Sequence, residues 1–128
     1  MENTALKKPN ITDYLDYRKF MVDFYGNKKS LVPHFSHAAW AEKAGFKSRS
    51  FLRLVMLGKR SLTAESMPPA AKALELNKQE TEFFMNLVNF NQSTNFKSRE
   101  FFLNRLMKTS VAKKVTPIQD SYRYLTNH

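Results

Sequence analysis

The sequence of 128 residues contains no cysteine and only three glycines. The absence of cysteine excludes disulfide frameworks, cysteine-ligated zinc, iron–sulfur clusters and thiol catalysis. The chain also has no run close to the roughly 18 consecutive apolar residues that a membrane-spanning helix needs, and its N-terminus lacks the apolar stretch of a signal peptide. We therefore expect a cytoplasmic protein with no membrane partner.

Signatures of catalysis are missing as well. No nucleophile–base pair, metal-ligand spacing or glycine-rich phosphate loop stands out. His34 and His37 are three positions apart, but no carboxylate or cysteine cluster accompanies them. We expect no enzymatic activity, no bound metal and no cofactor.

Acidic residues are scarce relative to basic ones, with 11 Asp and Glu against 21 Lys and Arg and a formal net charge of +10. Basic residues dominate positions 37–60 and 97–114, whereas acidic residues outnumber them over positions 63–92. This uneven distribution indicates a polyanionic partner for one side of the protein. The stretch 97–114 is open to two interpretations, a second nucleic-acid contact or a solvated helix and linker.

Apolar residues recur at spacings of three and four, and strand-like alternation is rare. We therefore predict an all-α fold, a compact bundle of five to six helices. The first helix is predicted to begin at Thr12 or Asp13 and to end near Gly26. Capping signals predict a second helix from Ser36 to Gly45 and a third from Ser48 to Gly58. A fourth helix is predicted from Ser66, with Pro68 and Pro69 in its first turn. A fifth is predicted from Asn77, with Glu80 in a capping box, and a sixth from about Asn95.

The chain length suits one domain, since compact domains commonly contain about 100 to 150 residues. We assign residues 12–108 to this domain and residues 1–11 to a flexible N-terminal tail. Residues 109–128 are interpreted either as a basic tail or as the start of a missing second domain.

Two short predicted helices joined by a glycine-containing turn, the second of them basic, form a helix-turn-helix pattern. Ala41 is small enough for close helix crossing, and Gly45 suits the turn. If Phe51 and Val55 anchor the second helix to the core, Arg49 and Arg53 must face solvent. Trp40, between two alanines, is predicted to pack in the core.

A basic helix of this kind fits the major groove of DNA, where Arg donates two hydrogen bonds to guanine. The base-contact candidates are Ser48, Arg49, Ser50 and Arg53. Loop ends and helix N-termini suit backbone phosphates. The phosphate-contact candidates are Ser36, His37, Lys47, Lys59 and Arg60.

The segment 35–76 resembles the lambda-repressor type of helix-turn-helix domain in its A-x-x-x-G turn, its Gly-Lys-Arg after the third helix and its A-K-A-L helix. More narrowly, F-L-R-L-V-x-x-G-K-R-x-L, A-K-A-L-x-L and E-x-x-F-F-x-x-L-V-x-F-N-Q are similar to an uncharacterised bacterial family of two-domain transcriptional regulators. The resemblance covers residues 12–108. It implies a helix-turn-helix fold, DNA binding and a following second domain, whose opening resembles D-S-Y-R-Y-L at positions 120–125. The interval from turn to glycine is one residue longer than the common lambda-type spacing.

The function we expect is sequence-specific binding of double-stranded DNA by a transcriptional regulator, with helix 48–57 in the major groove and a homodimer as one arrangement. The alternative is a protein–protein interaction module on a helix-turn-helix scaffold. This module would contact its partner through the fifth and sixth helices. Phenylalanines occur in pairs there, at 83–84 and 101–102, and because both members of a pair cannot face one core equally, some of these rings could line an interface. Non-specific RNA binding is a third possibility, but the sequence contains no RNP-type strand or GXXG loop that would favour it.

Overall fold

The computed structural model describes residues 8–113 of the chain. Over this range the backbone forms six α-helices, one short 3-10 helix and no strand, which confirms the predicted all-α fold. In chain order the elements are a 3-10 helix Ile11–Asp13, α1 Tyr17–Leu31, α2 His37–Lys43, α3 Phe51–Met56, α4 Met67–Ala73, α5 Lys78–Gln92 and α6 Phe96–Lys113. None of these helices combines the length and the apolar character required to cross a bilayer.

The first long helix begins later and ends later than the sequence predicts. Asn10 caps a single 3-10 turn, and Tyr14 then becomes extended, so a helix cannot continue from Thr12. The carboxylate of Asp16 accepts the backbone N–H groups of the residues two and three positions later and starts α1. The helix then passes straight through Gly26, because the buried side chains on either side of it hold this turn against the core.

The helices α2, α3 and α4 all end in the same hydrogen-bond arrangement, the Schellman motif. Its closing residue has positive φ at Gly45 (92°), at Gly58 (80°), where the third helix was predicted to end, and at Glu75 (59°). In each case the N–H of the closing residue and that of the following residue bond back to carbonyl groups of the last turn. Glycine adopts this conformation without a Cβ penalty, whereas Glu75 adopts it with one.

The starts of the later helices follow their capping signals. Ser66 precedes α4, whose first turn holds Pro68 and Pro69. Asn77 and Glu80 form the predicted capping box at the start of α5, with bonds of 2.8 and 2.9 Å. At the start of α6 the predicted Asn95 cap is also present, and its carboxamide accepts a backbone N–H three residues later at 2.8 Å.

All six helices contribute to the core, which is rich in aromatic side chains. Trp40 is 2% exposed, so its predicted place in the core is confirmed. The sixth helix adds Leu106 to this core but leaves Phe96 and Phe101 at 76% and 55% exposure. The largest members of the core, each less than 2% exposed, include Tyr17, Phe20, Phe24, Phe83 and Phe84.

The structure bears on both predicted boundaries of the domain. Ile11, the last residue of the predicted flexible tail 1–11, is 1% exposed and belongs to the core, so that assignment is wrong at this residue. At the other end α6 continues past position 108 to Lys113. The prediction for residues 114–128 lies outside the described residues.

Candidate nucleic-acid interface

The second helix is built as the sequence predicts. The hydroxyl of Ser36 accepts the N–H of Ala39 at 3.0 Å, which fixes the first turn of α2. Trp40 and Ala41 are buried, and the chain reverses at Gly45. Because the Ser36 oxygen already caps the helix, this residue can approach a phosphate only through its remaining hydroxyl proton.

The third helix is shorter than the predicted helix 48–57, so the predicted bounds are wrong. It covers six residues, Phe51–Met56, and Ser50 precedes it without a side-chain cap. The hydroxyl of Ser48 lies 3.3 Å from the hydroxyl of Ser50 rather than on a backbone N–H. The carbonyl of Ser48 accepts the N–H of Phe51 and closes a turn. Three of the four base-contact candidates, those at positions 48 to 50, therefore lie in the turn before α3, and only Arg53 lies on the helix.

Burial fixes the orientation of α3. Phe51, Leu52 and Val55 are 8%, 0% and 0% exposed, so this side of the helix faces the core. Arg53 is about 200° around the helix from Phe51 at the normal pitch of 3.6 residues per turn. Its side chain is exposed, as is that of Arg49 in the preceding turn. The prediction that the apolar side of this helix is buried and both arginines face solvent is confirmed.

The basic candidates of this region are all exposed: Lys47, Arg49, Arg53, Lys59 and Arg60. The ion pairs among residues 8–113 join Lys8 and Lys28 to Glu75, and Lys19 to Asp23. None of them neutralises a cation between positions 43 and 60. The guanidinium of Arg60 does lie 5.2 Å from the ring centroid of Phe51, so part of this side chain covers the core.

His37, in the first turn of α2, packs against α1. Its ring stacks on Tyr25 with centroids 4.0 Å apart and planes 6° apart. Burial lowers the pKa of His37, and the positive charges of Arg53 and Lys29 lower it further. The ring of His37 is therefore held by Tyr25 of α1, and the positive charge of Arg53 disfavours protonation of His37.

Two residues that support this region were missed by sequence reasoning. A terminal nitrogen of the Arg18 side chain donates to the carbonyl groups of Val55 and Arg60, at the end of α3 and in the loop beyond it. The carboxamide of Gln92 accepts the N–H of Leu62 at 3.1 Å and donates to its carbonyl at 2.9 Å. Both contacts join residues at least 30 positions apart. No local sequence pattern predicts hydrogen bonds between residues so far apart in the chain.

The second basic stretch makes contacts within the protein. Arg99 donates to the carbonyl of Phe90 at 3.3 Å and lies over its ring, and Arg105 donates to the carboxamide of Asn86 at 3.0 Å. These two arginines help to attach α6 to α5. The lysines at positions 97 and 108 in the same stretch are exposed.

The described part of the chain contains no group of three or more histidine and carboxylate side chains that is arranged to hold a metal ion. Comparison of the chain with protein-family models, with curated proteins and with solved structures finds no match.

Proposed function

We propose that the protein binds double-stranded DNA sequence-specifically through α3 and the turn before it, and that it acts as a transcriptional regulator. The observation that carries this proposal is the orientation of α3. Its core side is fully buried, and Arg53 projects into solvent from the other side. The exposed cations around it have no carboxylate partner among residues 8–113.

The physical basis is the fit of a helix into the major groove, which is about 12 Å wide. An arginine there can donate two hydrogen bonds to the O6 and N7 atoms of guanine. Helix-turn-helix proteins read bases with residues near the start of the second helix. Arg53 and the turn residues 48–50 occupy that position, since the turn leads directly into α3.

The flanking residues suit contacts to the sugar–phosphate backbone. Lys47 precedes the recognition turn, and Lys59 and Arg60 follow the end of α3. Ser36 and His37, at the start of α2, provide a hydroxyl and an imidazole that can donate hydrogen bonds to phosphate oxygens. Contacts of this kind add affinity without sequence preference and make binding weaker as salt rises.

A homodimer is part of this proposal, because one six-residue recognition helix reads few base pairs. Two copies related by a twofold axis place their recognition helices about 34 Å apart, in successive major grooves. The operator is then an inverted repeat with this spacing. The bound species therefore contains two chains per duplex.

The test begins with selection of duplexes from a random pool at two salt concentrations, followed by affinity measurements on the selected sequence. Arg53→Ala is expected to cost about 1 to 3 kcal/mol and to relax the preference at one position. Lys59→Ala is expected to weaken binding to all sequences alike and to lower the salt dependence. Lys78→Ala, at an exposed lysine at the start of α5, is the matched control and leaves both unchanged. An Arg53→Ala protein with the parent's affinity and preference would rule out this use of α3.

A second candidate function is protein–protein interaction on the same scaffold, and one observation favours it. Phe96 and Phe101 of α6 expose large apolar surfaces. Exposed apolar surface of this kind can mark an interface. A partner protein whose binding is abolished by Phe101→Ser but unaffected by Arg53→Ala, with no retardation of any duplex at low salt, would favour this function over DNA binding.

A further inference from the structure

A cleft of about 310 Å³ lies where the ends of α1, α2 and α4 meet. Phe35 and Trp40 line it together with the lysines at positions 28, 43 and 72 and Glu75. None of these residues belongs to the proposed DNA-binding set. The volume is at the lower end of the range of about 300 to 1,000 Å³ that is usual for small-molecule pockets.

The aromatic part of the cleft is apolar and already satisfied in its hydrogen bonding. The ring centroids of Phe35 and Trp40 are 6.0 Å apart. The indole N–H of Trp40 donates to the carbonyl of Ala73 at 3.0 Å. Phe35 is partly exposed, whereas Trp40 is 2% exposed. The exposed part of the Phe35 ring therefore offers a ligand dispersion contacts and the exclusion of water from the ligand's apolar surface.

The charged part of the cleft has an excess of cations. The carboxylate of Glu75 lies 2.6 Å from the ammonium of Lys28 and 3.8 Å from that of Lys8, so its negative charge is offset. Lys43 and Lys72 come from the last turns of α2 and α4, and both are exposed. No carboxylate among the described residues pairs with either of them. The two ammonium groups therefore carry uncompensated positive charge beside an aromatic floor.

We propose that this cleft binds a small organic anion in which a carboxylate or a phosphate is joined to a flat apolar ring. The ring packs against the exposed part of Phe35, which itself lies against the buried Trp40, and the anionic group lies between Lys43 and Lys72. Neither the anionic group nor the ring is sufficient for binding by itself. An exposed ion pair contributes little free energy alone, and a small ring buries only a limited apolar area. The proposal does not depend on DNA binding.

The test uses the full chain and four probes that separate these contributions: benzoate, phenyl phosphate, benzyl alcohol and inorganic phosphate. Trp40 is the sole tryptophan, so its indole N–H gives one resolved NMR signal that reports on the cleft. Benzoate, phenyl phosphate or both are expected to shift this signal saturably, and the stronger of the two identifies the anionic group. Benzyl alcohol and inorganic phosphate are expected to bind at least about tenfold more weakly.

Substitutions that are expected to change the affinity for the probe in opposite directions complete the test. Lys43→Gln and Lys72→Gln should each weaken binding of the better probe about threefold to fivefold, whereas Glu75→Gln should strengthen it. Lys108→Gln, at an exposed position of α6, is the matched control. The proposal is overturned if neither anionic ring compound shifts the Trp40 signal saturably. It is equally overturned if the double variant at positions 43 and 72 binds the probe like the Lys108→Gln control.

Discussion

The long helices α1 and α5 differ from the short pair α2 and α3 in how their polar side chains are used. On the long helices these groups bond to distant backbone, as Arg18 does to Val55 and Arg60, and Gln92 to Leu62. On and around α3 the charged side chains are exposed. We infer that α1 and α5 form a scaffold, whereas the charged side chains around α3 remain exposed to solvent. Changes in the scaffold are expected to lower stability more than changes on the exposed surface.

The largest effect is expected in the core of the scaffold. Phe84 is fully buried, and Phe84→Ala should lower the free energy of unfolding by about 3 to 5 kcal/mol, because it removes apolar contacts and leaves a cavity. Phe101→Ala removes the same ring from a site that is 55% exposed and should change stability by less than about 1 kcal/mol. Urea denaturation of both variants measures the difference. Equal losses would contradict the assignment of Phe101 to the surface.

The next effect concerns the link between α5 and the loop after α3. Gln92→Ala removes both bonds to Leu62 and the acceptor of the Tyr17 hydroxyl, which donates to Gln92 at 2.7 Å. Leaving these part-buried groups unpaired should cost about 2 to 3 kcal/mol of unfolding free energy. Thermal or urea unfolding measures the loss. Since Thr94, just after α5, is exposed, Thr94→Ala is the matched control and should have no comparable effect.

A smaller effect is expected at the junction of α1 with α3. Arg18→Ala removes the guanidinium that bonds to the carbonyl groups of Val55 and Arg60 and should cost about 1 to 2 kcal/mol of stability. Arg18→Lys keeps the charge but loses the planar fork, so it should recover only part of this loss. Urea denaturation of the two variants beside the parent measures both quantities. Full recovery by lysine would show that Arg18 acts through its charge and not through these bonds.

The smallest effect is a pH dependence at the surface of α2. Burial and two nearby cations lower the pKa of His37 below its ordinary value of 6.5 in the folded protein. The unfolded chain therefore binds more protons at this residue, and the contribution of His37 to stability should fall as the pH drops below about 6.5. His37→Phe keeps a flat ring on Tyr25 but cannot titrate, so its stability should depend less on pH. Urea denaturation at several pH values compares the two proteins, and parallel curves would contradict the prediction.

The sequence predicted the parts of this fold that depend on neighbouring residues. The cap at Ser36, the capping box at Asn77 and the turn at Gly45 were readable because each motif bonds only to residues a few positions away. The exposed side of α3 followed from its apolar spacing. The full set of six helices could be anticipated in the same way.

The parts that could not be predicted depend on contacts between distant residues. Gly26 looked like a helix end, but burial of its neighbours keeps α1 intact. Ser48 looked like a cap, but its hydroxyl pairs with that of Ser50, so α3 begins three residues later. The support from Arg18 and Gln92 had no local signal at all. The binding partner was likewise inferred from charge and shape, and only the binding experiments test it.

The hydrogen bonds of Arg18 and Gln92 also limit which part of the domain could be moved to another protein. The segment from Ser36 to Leu62 looks like a unit that could be transplanted, yet its last turn and its exit loop are held by side chains from the first and the fifth helices. A peptide or chimera carrying this segment alone lacks those donors and acceptors. A transferable piece must therefore contain at least the residues from Asp16, which starts the first helix, to Gln92 at the end of the fifth, and Ile11 and Leu106 of the core lie outside that range.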